Sequence, residues 1–178
     1  MREIELLFKI DDKKEKVLQQ TLKNFYIKTV REVDTYFYPP HKDFLVSKHG
    51  RENLRIRKSD CEEELTYKKV IYNNGKYSHS IEENVNISNA NDIVGILKIL
   101  DFRVHLVVEK KRKIYKNENF KFTIDHVKSL GIFTEIEWIG EDGDESKIKK
   151  ACQKQANKIG LYKVQDKGYL RLIEERIK

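Results

Sequence analysis

The sequence predicts an α+β fold in which about eight antiparallel strands curl into a closed barrel, with three helices flanking it. Three observations lead there. Most of the chain alternates apolar and polar residues with the period of two that belongs to strands. The only prolines are the adjacent Pro39 and Pro40, and no Gly/Ser-rich linker interrupts the chain, so hairpins must connect the strands. Pairs of like charges recur at a spacing of two beside clean apolar faces. Closing the sheet would also remove its unpaired edges.

The elements follow in order. Glu3 to Ile10 places Ile4, Leu6, Phe8 and Ile10 on one face and Glu3, Glu5, Leu7 and Lys9 on the other. A helix is expected from Asp11 to Asn24, with Val17, Leu18 and Leu22 as its apolar stripe. Thr29 to Tyr38 is β-branched and aromatic, which favours a strand, and Pro39–Pro40 mark the loop after it. Asn53–Arg57 and Glu64–Lys68 alternate; Asn73-Asn74-Gly75 is a hairpin-turn signal before a strand from Lys76 to Asn86. Ser88 is the expected cap of a helix from Asp92 to Leu100, packing through Ile93, Ile96, Leu97 and Leu100. Strands follow at Arg103–Tyr115, Phe120–Val127 and Phe133–Ile139, then a charged helix from Asp144 to Lys158. The closing run Lys167–Ile173 has no clear period.

A chain of 178 residues with 39% hydrophobic content suits a single domain, 1–178, with its own core. The net charge of +7 favours an anionic partner without naming it. Cys61 and Cys152 are far apart and lack Cys-x-x-Cys spacing, which argues against a disulfide framework or zinc site and for reduced cytoplasmic thiols. No apolar run reaches the length of a membrane span and no leader-like segment opens the chain, so no membrane partner is expected.

Function is written in the charge pairs. Glu3/Glu5, Arg55/Arg57, Lys110/Arg112 and Glu135/Glu137 each project to one side of a strand. Pointing outward, they would be a solvated surface. Pointing inward, they would line a lumen holding both signs. Arginine and lysine there could neutralise phosphate oxygens, arginine bidentately. Carboxylates could hold Mg2+ or Mn2+, hard cations that bridge to phosphates.

Glu3-x-Glu5, Leu54-Arg55-Ile56-Arg57, Thr66-Tyr67-Lys68, Val108-x-Lys110-x-Arg112 with Tyr115, and the block from Ile124-Asp125 through Leu130-Gly131 to Glu135-Ile136-Glu137 together resemble the CYTH family, the triphosphate tunnel metalloenzymes. The resemblance runs from Glu3 to about Tyr169. It implies an eight-stranded antiparallel tunnel that binds a triphosphate with a divalent metal, Mg2+ or Mn2+. Carried over by position, Glu3, Glu5, Glu82, Asp125, Glu135 and Glu137 would serve the metal. Arg55, Arg57, Lys68, Lys110, Arg112 and Lys167 would contact phosphate, and Glu3, Glu5, Lys9, Lys68 and Arg112 would carry the catalysis. The family signature Glu-x-Glu-x-Lys places a lysine where this chain has Leu7; Lys9 lies on the same face, about 6–7 Å further along. Asn84 stands where an acidic residue is usual.

The implied activity is a triphosphatase acting on tripolyphosphate or an organic triphosphate such as ATP or thiamine triphosphate. A class IV adenylate cyclase making cyclic AMP and pyrophosphate is the alternative, and Leu7 motivates a non-catalytic nucleotide or polyphosphate binder. No RRM or KH motif accompanies the basic excess, so nucleic acid is not the expected partner. A homodimer is left open, as the family often dimerises. His41, His49, His79, His105 and His126 show no metal-ligand spacing. Trp138, on the face opposite Glu135 and Glu137, is expected under a helix.

Overall fold

The computed structural model describes residues 2–45, 51–73, 76–141 and 143–177. His49 and the Asn74-Gly75 part of the expected turn lie outside them. The strands are β1 (Arg2–Glu3), β2 (Glu5–Ile10), β3 (Tyr26–Tyr38), β4 (Arg51–Ser59), β5 (Glu63–Asn73), β6 (Lys76–Ile87), β7 (Arg103–Asn117), β8 (Phe120–Val127) and β9 (Gly131–Trp138). The helices are α1 (Asp12–Leu22), α2 (Ala90–Ile99), α3 (Glu145–Lys158) and α4 (Tyr169–Arg176), with a 3-10 turn at Lys23–Phe25.

All nine strands belong to one sheet, ordered β1-β6-β5-β4-β3-β7-β8-β9-β2. The strands at its two ends are consecutive in the chain, with only Ile4 between them. The order is therefore cyclic, the topology of an eight-stranded antiparallel barrel whose first strand is broken at one residue. That break accounts for nine strands where about eight are expected.

Two compact units divide the chain. The first comprises Met1–Arg2 and Arg31–Glu109, the second Glu3–Val30 and Lys110–Lys178. In the first, β4 pairs antiparallel with β3 and β5, and β5 with β6. Phe37, Ile56, Ala90 and Leu97 form its buried cluster, with Leu54, Leu65, Ile93 and Val94 packed against it. The cap of α2 is Asn89, whose side chain accepts from the amides of Asn91 and Asp92, not Ser88 one residue earlier. Starting at Ala90 turns Ala90, Ile93, Val94 and Leu97 inward, so the expected stripe members Ile96 and Leu100 are half exposed.

In the second unit, β8 pairs antiparallel with β7 and β9, and β9 with β2. Ile4, Leu6 and Phe8 join Ile124, Ile136, Leu18, Leu22, Ile148, Cys152 and Ala156 in the core, as the alternation of the first strand predicts. Ile148, Cys152 and Ala156 recur every fourth residue, the inward stripe of α3. Trp138 packs against this core edge-on to Phe120, and its Nε1 donates to the carbonyl of Glu141 at 3.0 Å. On α1 the buried positions are Glu15, Leu18 and Leu22, and Val17 is exposed. Glu15, in place of the expected Val17, joins Leu18 and Leu22 on the buried face, and it is paired at 2.8 Å with His126 and at 3.5 Å with Lys113. Gly131 opens β9 at φ 104°, a conformation that glycine adopts without Cβ strain. The closing run, without a readable period, is the short helix α4, anchored by buried Tyr169 and Leu170.

Candidate active site

Strand register decides which charged side chains share a face. In the second unit Glu5 faces Glu137 and Leu7 faces Glu135 across β2–β9. Glu137 in turn faces Lys121, and Glu135 faces Thr123. Asp125, on the same side of β8, faces Arg112 on β7. Successive residues alternate sides, so Glu5, Leu7 and Lys9 lie on one face with Glu135, Glu137, Lys121, Asp125, Lys110 and Arg112. The opposite face carries the apolar core.

Arg112 is the hub of this face. Its Nε donates to Asp125 Oδ1 at 2.8 Å, and one terminal nitrogen donates to Asp125 Oδ2 at 2.5 Å and to Glu135 Oε2 at 2.6 Å. Lys110, Arg112 and Asp125 are all buried. The Tyr169 hydroxyl, brought in by α4, donates to Asp125 Oδ2 at 2.8 Å. Burial first, then Asp125 and Glu135, hold the Tyr169 pKa well above the ordinary phenol value, so it remains a donor. The Lys110 ammonium lies 5.6 Å from the centre of the Tyr169 ring, and that of Lys9 5.8 Å from Phe133. Lys121 is ion-paired with Glu137. Burial and Arg112 oppose its charge, but Glu137 and Glu135 keep its pKa raised. Leu7 is buried opposite Glu135. Lys167 makes a half-exposed ion pair with Glu175 at 2.8 Å, and Glu3 ends β1 just before the break.

The first unit carries a second polar face, built in rungs across β3, β4, β5 and β6. One rung runs Asp34, Arg57, Glu64 and Asn86; the next runs Tyr36, Arg55, Thr66 and Asn84. Beyond them Asn53, Lys68 and Glu82 stand in register. Arg57 is gripped by buried Asp34, with Nε–Oδ1 at 2.6 Å and a terminal nitrogen to Oδ2 at 2.8 Å, and lies 3.3 Å from Glu32. Arg55 donates to Thr66 at 2.9 Å and to Glu64 at 3.1 Å. Lys68 pairs with Glu82 at 2.8 Å, and Asn84 donates to Glu82 at 3.4 Å. Burial and Asp34 push the Tyr36 phenol up against the pull of Arg55, Arg57 and Lys68. The buried Nε of Arg55 finds no hydrogen-bond partner among the described residues. A donor left so is costly unless a ligand meets it.

The donor set can be tested against a divalent metal. Among the described residues no three His, Cys, Asp or Glu side chains gather as a ready-made cage. Glu5 and Glu137, however, are direct register partners, and opposed like charges are relieved by cations, of which Lys121 already meets Glu137. Mg2+ characteristically uses one or two carboxylates and takes its remaining ligands from water and phosphate. The carboxylates therefore fit a metal that arrives with its triphosphate. Both oxygens of Asp125 are engaged by Arg112 and Tyr169, which suits it to orient Arg112.

The register thus brings Glu5, Lys9, Lys110, Arg112, Asp125, Glu135 and Glu137 to one face, and Arg55, Arg57, Lys68 and Glu82 to another. A model of the CYTH domain matches residues 1–169. This chain belongs to the CYTH family. It is 33% identical over 177 residues to the Methanocaldococcus jannaschii protein named "Putative adenylate cyclase MJ0240", covering 97% of this chain and 98% of that one. Its fold matches the PH1819 protein of Pyrococcus horikoshii at TM-score 0.85 and 26% identity, over 98% of this chain and 99% of that chain. At the level of fold alone it also matches HpAC1 of Hippeastrum, an adenylyl cyclase by name described as having a dominant triphosphatase activity. The TM-score there is 0.71 at 18% identity, over 98% of this chain and 95% of that chain. CYTH proteins act on triphosphates. Among the described residues of this one, no helix is long and apolar enough to cross a membrane.

The sequence pairs omitted the partners that hold the cations. Asp34, Glu64 and Thr66 accept directly from the arginines, Lys121 pairs with Glu137, and Tyr169 donates to the Asp125 that holds Arg112. Glu32-x-Asp34-x-Tyr36-x-Tyr38 and Lys121-x-Thr123-x-Asp125 carry the same period-two signal and could have been found by it. Tyr169 lies 44 positions along the chain from Asp125, and no local pattern announces the contact.

Proposed function

We propose that this protein is a divalent-metal-dependent triphosphatase that cleaves tripolyphosphate or an organic triphosphate. The observation that carries the reading is the burial of Lys110 and Arg112 on the face of Glu135 and Glu137, with the guanidinium fixed by Asp125. Cations so held have lost their water and cannot swing away. They are preorganised to neutralise the charge that spreads over a transferring phosphoryl group.

In this reading Lys110 and Arg112 take phosphate oxygens in the second unit, while Arg55, Arg57 and Lys68 do so in the first. Arg57 keeps its orientation through Asp34, and Arg55 gains an acceptor for its buried Nε. In the second unit Glu3, Glu5 and Glu137 would hold the metal, with Glu135 assisting through Arg112; in the first, Glu82 steadies Lys68. When bound, the metal would screen phosphate charge and make water a better nucleophile. Glu5 accepts the proton of the attacking water, and Lys9 and Lys167 add positive charge from the strand end and the approach to α4.

The adenylate cyclase reading is kept because the 33%-identical relative carries that name. There the ribose 3′-hydroxyl attacks the α-phosphorus and pyrophosphate leaves. Buried Leu7 opposite Glu135 supports a third reading, a nucleotide or polyphosphate binder without turnover. Product analysis separates all three. With Mg2+ or Mn2+ and a panel of tripolyphosphate, ATP and thiamine triphosphate, phosphate release is expected. Cyclic AMP with pyrophosphate would replace that reading by the cyclase, and binding without product would replace it by the binder.

A further inference from the structure

α3 carries a second set of cations, apart from the polar face of the second unit. The helix packs through Ile148, Cys152 and Ala156 on the apolar side of the sheet, the side opposite Arg112 and Glu137. Lys147, Lys150, Lys154 and Lys158 are all exposed. At about 100° per residue they fall within an arc of about 80°, roughly opposite Cys152. They advance in steps of about 4.5–6 Å over a length of about 16 Å. The one acid of α3, Glu145, is seven residues before Cys152 and so shares its side. Solvated helices commonly intersperse both signs, often at i, i+4. Here Lys150–Lys154 and Lys154–Lys158 are like-charged i, i+4 pairs, which oppose the helix. Past the helix end Gly160 turns the chain at φ 70°, and Leu161 is buried. Tyr162 then stands 74% exposed, followed by exposed Lys163.

We propose that the exposed face of α3, with Tyr162 at its end, docks a single-stranded nucleic acid by its backbone. The proposal does not depend on the triphosphate reading above. A row of ammoniums one residue wide complements a line of phosphates. A stacked strand advances about 3.4 Å per nucleotide and an unstacked one further, so the row spans about four or five phosphates. Those phosphates relieve the repulsion among the lysines, and their condensed counterions are released. Tyr162 offers an accessible ring on which an unpaired base can stack, a contact that polyphosphate and phospholipid headgroups cannot use. A duplex keeps its bases stacked inside and forgoes it. A bilayer fits less well, because the apolar stripe of α3 is spent in the core and leaves nothing on the exposed face to enter lipid. Such a surface follows the strand through charge and stacking and needs no RRM or KH module.

The test is fluorescence anisotropy of a labelled single-stranded oligonucleotide with a 5′-hydroxyl, in ribo and deoxy forms, titrated with the whole chain at several salt concentrations. Wild type, the double variant Lys150→Gln/Lys154→Gln and Tyr162→Ala are compared, with thermal melting to show that each is folded. Four lysine–phosphate contacts predict a slope of log affinity against log salt near about −3, and the double variant about half of that. Tyr162→Ala is expected to weaken binding about tenfold with the slope unchanged, the signature of a lost stacking contact. Ribo and deoxy strands are expected to bind alike, since a backbone-tracking row reads no 2′-hydroxyl. Affinity and slope preserved in the double variant would overturn the proposal. So would a Tyr162→Ala variant that binds as wild type does, or a duplex bound as tightly as the single strand. Phosphatidylserine vesicles held through the same lysines, with no oligonucleotide bound, would replace the strand by a membrane surface.

Discussion

Arg112 shows how one residue depends on neighbours that no motif includes. Its guanidinium is bidentate to Asp125, and Asp125 is completed by the Tyr169 hydroxyl. Replacing Tyr169 by Phe leaves a buried carboxylate oxygen with one donor fewer, a cost of about 1–3 kcal/mol. The expected outcome is a lower denaturation midpoint together with a several-fold weaker tripolyphosphate affinity; a change in stability with affinity intact would detach Tyr169 from phosphate binding. Leu7 supplies the opposite experiment. Buried beside Glu135, a lysine there would restore the signature row and add a cation. Leu7→Lys is expected to raise turnover or triphosphate affinity, read by steady-state kinetics, and a fall in both would show that leucine is adapted to this face. The charged residues were legible because period two fixes the side on which each projects. Their partners were less so, because which acid meets which base depends on register, and Tyr169 depends on a helix docking far along the chain.

At the scale of elements, α1 is held by polar contacts that its apolar pattern hides. Asp11 caps it by accepting from the amide of Lys14 at 2.7 Å, and Lys14 donates to the carbonyl of Ile159 at 2.5 Å. Burial alone would raise the Glu15 pKa, but His126 and Lys113 outweigh it and hold the group below its ordinary 4.5. A carboxylate depressed in the folded state stabilises that state above its unfolded pKa and loses the contribution as pH falls through the folded value. Stability to urea is therefore expected to decline as pH drops below 4.5. Glu15→Gln should flatten that decline; an identical pH slope would remove Glu15 from the account. Asp11→Ala should cost about 1 kcal/mol as a lost cap, seen in the same titration. Most strand ends were read to within three residues, because alternation marks them; β5 runs on to Asn73, five residues past the expected Lys68. Helix faces were read less well: on α2 Ile93 and Leu97 pack inward as expected, but Ala90 and Val94 complete the stripe and Ile96 and Leu100 are half exposed.

For the whole molecule, the sequence anticipated one barrel-type sheet, and the cyclic strand order supplies it. The division into two compact units was not legible, because β3 and β7 run through both as continuous alternating segments. The cysteines report on this organisation. Cys61 is exposed, whereas Cys152 is buried in the core of the second unit and its thiol is pushed up to about 11, chiefly by burial. Near neutral pH iodoacetamide should label Cys61 rapidly and Cys152 only as fast as the second unit opens, followed by mass spectrometry. Equal rates would contradict the packing of α3. Most of the molecule's charge logic converges on one claim, that its fixed cations bind a metal-bearing triphosphate. The most direct measurement is calorimetric titration of tripolyphosphate into the wild type with Mg2+, with chelator, and into Arg55→Ala and Arg112→Ala with Mg2+. The account predicts saturable binding that weakens about tenfold or more on chelation and in each variant, since each loses at least one charge-assisted contact. Affinity indifferent to the metal and to both arginines would contradict it.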